Sequence, residues 1–200
     1  MKKFIATIPP FKGQRDGIYI AVNNDRLKSN IKTHFPVLPL IKGYCDPGEQ
    51  IEIIITYVND EVSPESKNNF EEFKIHAEKY LEDIDYKINE IAVKYDESVE
   101  AHLNTFTRII EQIKEGDELF ADITFGKKPV PIIQIMALNY ALRAMKDVRV
   151  ECLSYGDSNF STHKLEIYDV TSLLYMDEII NNISKNNVEN PIDVIKSILE

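Results

Sequence analysis

Residues 119–156 read LFADITFGKKPVPIIQIMALNYALRAMKDVRVECLSYG, and the order of apolar and polar segments here is the clearest indication of the fold class. The apolar run 119–124 predicts a buried strand, and the turn at 126–128 opens a helix predicted over 129–145, with proline at its first position. A second apolar run, 148–155, predicts the next strand. Strand, helix and strand in this order are typical of a parallel sheet.

The same alternation extends along the rest of the chain. Further strands are predicted at 4–8, 18–22, 51–58, 86–93 and 165–170. Further helices are predicted at 63–81, 99–113, 173–183 and 192–199. The segment 11–31 is otherwise unassigned. We therefore predict an α/β fold, a Rossmann-like three-layer sandwich with a mostly parallel central sheet.

Length and composition restrict the class of protein. The chain has 200 residues, enough for one domain, and 44% of them are hydrophobic. No apolar run approaches the ~20 residues of a transmembrane helix, and Pro9 and Pro10 end the amino-terminal run too early for a signal peptide. Cys45 and Cys152 give neither a disulfide framework nor a metal-binding spacing. We predict a cytoplasmic protein with no membrane partner, no metal and no cofactor.

The charge of the chain restricts its partners. Thirty-three acidic residues against 23 basic ones leave a net charge of −10. Long nucleic acid is not an expected partner, because phosphate binding along a duplex or a long strand needs a basic face. A small anionic ligand in a locally basic pocket remains compatible with this charge, since pocket fields are local.

The turn at 126–128 has the chemistry of an anion site. Gly126 permits close approach of a ligand to the backbone, and Lys127 and Lys128 add positive charge. The free N–H groups at the start of a helix attract anions, and here they belong to Gly126, Lys127, Lys128 and Val130. The alternative is an ordinary strand-to-helix turn with solvated lysines, since the spacing is neither that of a P-loop nor that of a dinucleotide fingerprint.

The helix after this turn is apolar around nearly its whole circumference. Such a helix is buried on all sides, either by the sheet and a second subunit or within one protomer. In the first case, Gln134 and Asn139 are expected at a two-fold interface. We predict a homodimer through this helix.

Several motifs together resemble the CRISPR-associated Rossmann-fold (CARF) proteins. The motifs are DITFGKKPVPI, the apolar helix after it, the strand that ends at Tyr155 and Gly156, and the later IYDVTSLLYMDEI. The upstream YDESVEAHLNTFTRIIEQIKEGDELFADI is also similar to that family, so the resemblance covers most of 84–180. It implies a CARF-like ligand-sensing domain over 1–183 and a C-terminal helical extension over 184–200.

The resemblance implies a homodimer whose two-fold axis passes through a pocket for a cyclic oligoadenylate, a messenger of type III CRISPR antiviral defence. Cyclic tetra-adenylate is favoured, because its four phosphates match Lys127 and Lys128 from two subunits. The implied ligand-binding residues are Thr7, Ile8, Pro9, Pro10, Thr124, Phe125, Gly126, Lys127, Lys128, Tyr155 and Gly156.

Four functions remain open at this point. The first is a sensor that passes the signal to a downstream effector protein, and the second is a metal-independent ring nuclease that cleaves the same messenger. The third is a Rossmann-like interaction protein that binds no nucleotide, and the fourth is the sensor half of a longer protein. The arginine–histidine spacing of HEPN ribonucleases does not occur, and no catalytic residue is assigned. His102 is interpreted as a flanking residue of its helix rather than a base.

Overall fold

The computed structural model describes residues 1–13, 15–158, 164–186 and 188–199. Its strands are β1 (Lys2–Thr7), β2 (Gly17–Ala21), β3 (Lys32–Thr33), β4 (Gln50–Val58), β5 (Asp85–Val93), β6 (Glu118–Asp122), β7 (Arg149–Ser158) and β8 (Leu165–Asp169). Its helices are α1 (Val37–Tyr44), α2 (Pro64–Tyr80), α3 (Val99–Ile110), α4 (Pro129–Ala144), α5 (Thr171–Lys185) and α6 (Pro191–Leu199). Among the described residues, no helix has both the length and the apolar character to cross a membrane.

The strands form one eight-stranded sheet in the order β3-β2-β8-β7-β6-β1-β4-β5. The five strands from β7 to β5 are parallel to their neighbours, while β8 runs antiparallel to β7 and β3 antiparallel to β2. The predicted mostly parallel α/β sheet is therefore confirmed. The antiparallel strands lie on one side of the sheet, beyond β7.

Helices cover both faces of this sheet. Along β1, Phe4 packs into the core beneath α1 and α2, and Ile5 packs into the core beneath α3, α4 and α5. Strands buried on both faces are apolar at consecutive positions, as residues 4–6 of β1 and 53–55 of β4 are. The three-layer arrangement follows from this double burial.

The strand order places a topological switch point between β1 and β6. After β2 and β3, which lie at the far edge of the sheet, the chain adds β4 and β5 on one side of β1, and it then adds β6 and β7 on the other side of β1. Crevices for ligands in open α/β sheets form at the carboxyl ends of strands at such a point. The turn at 126–128, which follows β6, lies at this end of the sheet.

The boundary at 183 that the resemblance implies lies inside a helix, and the division into two parts stays a prediction. Helix α5 continues to Lys185, and α6 contacts α5. Asn187 and Glu200 of the predicted extension lie outside the described residues.

Gly43 in α1 permits a close approach between that helix and the segment before it. A Cβ at this position would lie 1.9 Å from the carbonyl oxygen of Arg26. We expect Gly43→Ala to lower the free energy of unfolding by about 3 kcal/mol, because a backbone atom cannot move aside. Urea unfolding measures the change. At Gly17 the nearest atom is instead Leu165 Cδ1, at 2.7 Å, in a side chain that can rotate. Gly17→Ala should therefore lower the free energy of unfolding by less than Gly43→Ala does. Equal decreases in the two variants would contradict this explanation.

Candidate functional site

A cleft lies at the carboxyl ends of β1, β4 and β5, beneath the amino-terminal parts of α3 and α4. Its volume is about 540 Å³, within the roughly 300–1,000 Å³ that is usual for small-molecule sites. The turn after β6 contributes to its rim. The cleft therefore occupies the position that the switch point indicates.

Two threonine hydroxyls form a polar floor in this cleft. Thr7 ends β1, and Thr56 lies directly opposite it in β4. The two residues are 7% and 1% exposed, and neither hydroxyl oxygen has a hydrogen-bond partner among the described residues. A buried hydroxyl without a partner costs about 1–3 kcal/mol. A ligand that bonds to these hydroxyls would recover that free energy.

The turn after β6 brings free backbone amides to the rim. Gly126 has a φ of +116°, and a Cβ there would lie 3.0 Å from Val130 Cβ, so the position requires glycine. The amides of Gly126, Lys127 and Lys128 donate no hydrogen bond to any described residue. They precede the amino end of α4, where the helix dipole favours an anion. The Val130 amide, also expected to be free, instead donates to the carbonyl of Lys127 at 2.8 Å.

A chain of charged side chains forms one wall of the cleft. Lys127 Nζ lies 2.7 Å from Glu97 Oε1 and 3.0 Å from the centre of the Tyr95 ring. The second Glu97 oxygen lies 3.4 Å from His102 Nε2. Desolvation lowers the pKa of Lys127, but its hydrogen bonds with Glu97 and Tyr95 outweigh this effect and raise the pKa above its ordinary value. An anionic ligand must therefore compete with Glu97 for Lys127.

Helix α3 also begins at the cleft. The Ser98 side chain accepts a hydrogen bond from the Ala101 amide at 3.2 Å and so caps this helix. The amino ends of α3 and α4 both direct partial positive charge at the cleft. Asp96 and Glu100 line the same wall, and their negative charge offsets part of the positive charge from the helix ends.

Five of the eleven predicted ligand-binding residues line the cleft, namely Thr7, Ile8, Pro10, Gly126 and Lys127. Pro9 is buried in the loop between two of them, and Lys128 is exposed immediately before α4. Phe125 is buried and Tyr155 is exposed on β7. These four residues do not line the cleft.

Thr124 and Gly156 belong to a buried cluster around Asp122. The Gly156 amide donates to Thr124 Oγ1 at 2.7 Å, and the Thr124 hydroxyl donates to Asp122 Oδ2 at 2.9 Å. The Ser154 hydroxyl donates to the same carboxylate oxygen at 2.9 Å. The cluster joins the carboxyl ends of β6 and β7, so these two predicted residues position the turn rather than line the cleft.

Asp122 is fully enclosed, and burial raises its pKa from 3.8 to about 6, although the hydroxyls of Ser154 and Thr124 oppose the rise. The folded state therefore binds the proton more tightly than the unfolded state does. This contribution to stability is complete below pH 4 and is lost as the pH rises through 6.

We expect Asp122→Asn to remove this pH dependence. A rise from 3.8 to about 6 corresponds to about 3 kcal/mol, at 1.36 kcal/mol per pH unit. Between pH 4 and pH 7, the free energy of unfolding of wild type should fall by up to that amount relative to that of the variant. Urea unfolding at several pH values measures the difference. Parallel stability curves for the two proteins would contradict the raised pKa.

The sequence did not identify several residues of the cleft wall. Thr56 follows a continuous apolar run, Tyr95 and Glu97 belong to the segment between β5 and α3, and His102 lies in the first turn of α3. One signal for these residues was available. The segment follows β5, which runs parallel to β1 and β4, and the carboxyl ends of parallel strands meet at one edge of the sheet. His102 does flank the apolar face of its helix, and it also faces the cleft.

One face of α4 is an exposed apolar stripe. Ile132, Met136 and Tyr140 are 59%, 52% and 41% exposed and lie one helical turn apart. Of the two alternatives for this helix, enclosure within one protomer is therefore wrong, whereas burial of this face by a second subunit stays a prediction. Gln134 was expected at a subunit interface. It is instead buried inside the protomer, and its amide has no hydrogen-bond partner among the described residues.

Comparison with known proteins adds no assignment. No protein-family model matches this chain, and no curated protein has significant similarity to it. Function is therefore proposed from the chemistry of the cleft and the stripe, together with the sequence motifs described above.

Proposed function

We propose that this chain is a CARF protein that binds a cyclic oligoadenylate, with cyclic tetra-adenylate favoured, at a pocket on the two-fold axis of a homodimer. The observation that carries the proposal is the position of the Gly126 turn. The turn borders the cleft and lies three residues before Pro129, where the helix with the exposed stripe begins.

A two-fold contact centred on Ile132 and Met136 would bring two copies of this turn towards one axis. Each copy presents three free amides and two lysines to a ligand. A ring of four adenylates has two-fold symmetry and four phosphates, so the same turn can contact it twice. Charge-assisted hydrogen bonds from lysines and backbone amides are the usual means of holding phosphate.

The cleft beside each turn supplies contacts of another kind. The Thr7 and Thr56 hydroxyls lack partners, and they would hydrogen-bond to ribose or base atoms that enter the cleft. Tyr95 is partly exposed and offers an aromatic surface for stacking. The proposed ligand thus meets cations and amides at the rim and hydroxyls at the floor.

The second candidate function is a metal-independent ring nuclease, and the chain His102–Glu97–Lys127 favours it. In this reaction His102, oriented by Glu97, removes the proton of a ribose 2′-hydroxyl. The 2′-oxygen attacks the neighbouring phosphorus, the bond to the 5′-oxygen breaks, and that oxygen takes up a proton. The products carry a 2′,3′-cyclic phosphate and a 5′-hydroxyl. Lys127 would stabilise the charge that develops on the phosphate.

A ligand screen with product analysis tests both functions. We expect cyclic tetra-adenylate to raise the melting temperature more than the cyclic tri- and hexa-adenylates do. If none of the three ligands stabilises the protein, the chain is an interaction protein without a nucleotide and the proposal is wrong. Intact ligand after long incubation supports the sensor, and linear products with a cyclic phosphate support the nuclease.

His102→Ala separates the two functions further. For a nuclease, this variant should bind the ring with little change and cleave it at least a hundredfold more slowly, since general-base catalysis contributes about 10²–10⁴-fold. The ring built from 2′-deoxyadenylate is the matched control, because it can bind but has no attacking hydroxyl. Equal cleavage by wild type and the variant would remove His102 from the reaction.

A further inference from the structure

Three potential metal ligands from distant parts of the chain meet in the layer that α1 and α2 form. Asp16 directly precedes β2, His34 directly follows β3, and Glu72 lies in α2. One ligand atom of each residue lies within 4.8 Å of the other two. Their separation along the chain hides the cluster from any motif of fixed spacing, so the sequence predicted no metal site.

Hydrogen bonds order the two histidines of this region. His34 Nδ1 lies 2.8 Å from Asp16 Oδ1. His76 lies one turn beyond Glu72 in α2, with its Nδ1 held 2.9 Å from Thr33 Oγ1 and its Nε2 3.8 Å from Asp16 Oδ2. Histidines that bind metals usually have their second ring nitrogen fixed by such a hydrogen bond. His76 is therefore arranged to direct Nε2 towards Asp16.

The His34 ring is buried and fixed in position. The residue is 4% exposed, and its ring packs against that of Phe35 with 3.9 Å between the centroids. Its Nε2 has no hydrogen-bond partner among the described residues. Nε2 lies on the opposite side of the ring from Nδ1, so Nδ1 is the nitrogen that faces Asp16 and is in position to bind an ion.

We propose that Asp16, His34 and Glu72 bind a divalent transition-metal ion of the zinc class, with His76 within reach as a fourth ligand. Imidazole nitrogen together with carboxylate oxygen is a usual donor set for Zn²⁺. Mg²⁺ and Ca²⁺ prefer oxygen donors alone, so they are excluded as the favoured ion.

Only a small adjustment is needed to accept the ion. Neighbouring ligands of a tetrahedral ion with bonds of about 2.1 Å lie about 3.4 Å apart. His34 and Asp16 must therefore separate by about half an ångström from their present 2.8 Å. Asp16 and Glu72 are exposed, so their side chains can move. The metal replaces the proton that His34 and Asp16 share.

The site would anchor the segment between β1 and β2. Asp16 ends this segment, and Asn69 of α2 holds its beginning through a hydrogen bond to the Pro9 carbonyl at 2.8 Å. Pro10 of the same segment lines the cleft. A metal ion joining Asp16 to Glu72 therefore gives α2 a second attachment to this segment. The metal site lies in the opposite helical layer from the cleft, and it does not depend on the proposed function.

Titration of the untagged protein with Co²⁺ tests the proposal, because its visible absorption reports coordination by nitrogen and oxygen. We expect one Co²⁺ per chain, displaced by Zn²⁺, and affinity lowered at least tenfold in both Glu72→Gln and Asp16→Asn. Both positions are exposed, so these variants should remain folded. Zn²⁺ should raise the melting temperature of wild type but not of the variants, and Mg²⁺ should have no effect.

Glu71→Gln is the matched control, because Glu71 is the neighbouring exposed acid of α2 and pairs with Lys74 instead. It should bind Co²⁺ as wild type does. Absence of a visible Co²⁺ spectrum in wild type would overturn the proposal. Equal affinity in Glu72→Gln and Glu71→Gln would also overturn it, because the bound ion would then lie elsewhere.

Discussion

Replacing both lysines of the turn, Lys127→Ala with Lys128→Ala, should weaken the binding of cyclic tetra-adenylate by roughly a thousandfold. The change removes four positive charges from one dimeric pocket, and each contributes about 1 kcal/mol after allowance for solvation. Four such losses correspond to about three powers of ten in Kd. Isothermal titration calorimetry measures the affinity.

The same double variant should melt close to wild type without ligand, because a partly exposed ion pair such as Lys127–Glu97 contributes little to stability. Lys146→Ala is the control, since Lys146 is exposed just beyond the opposite end of α4. Unchanged affinity in the double variant would remove the turn from the binding site. A much lower melting temperature would show that the turn is structural.

Met136→Asp should convert the proposed dimer to a monomer, with the mass in light scattering falling from twice 23.1 kDa to 23.1 kDa. The two-fold axis places the new charge in the apolar contact twice, at about 2 kcal/mol or more for each copy. The dimer Kd should therefore rise by roughly a thousandfold. Ligand binding should fall with it if the pocket needs both protomers.

Ile75→Asp provides the control for this experiment. Ile75 is an exposed apolar residue of α2, in the opposite helical layer, so its replacement should leave the mass unchanged. Leu138→Asp cannot test the interface, because Leu138 is fully buried in the protomer core and the variant should fail to fold. If Met136→Asp is still a dimer, the subunits meet through another surface.

The parallel core of the sheet was predictable because its strands have a clear apolar sequence pattern. β1, β4 and β6 are buried on both faces, so each contains a compact apolar run, and a helix follows β4 and β6. Helix α1 escaped prediction, since Pro36 and Pro39 at its start suggest a loop. Proline is tolerated there because the first turn of a helix needs no backbone donor.

The Gly126 turn was predictable for a local reason, since glycine, lysines and proline follow one another within four positions. The floor and the wall of the cleft were not predictable in this way. Thr56 and Glu97 come from separate elements, and only the sheet register and the approach of α3 to α4 bring them together. Composition does not distinguish burial by a sheet from burial by a partner, so the apolar character of α4 left both alternatives open until its exposed face was located.

The pairing of β2 with β8 has a consequence for the order in which the protein can form. Tyr19 pairs with Leu165, so β2 finds its parallel neighbour only after most of the chain has been made. A ribosome delivers the amino-terminal part first. During synthesis, β2 and β3 therefore form a hairpin that is not yet attached to the sheet while β1, β4 and β5 assemble. During that interval the edge of β2 that later pairs with β8 is exposed, and an exposed strand edge favours association between nascent chains.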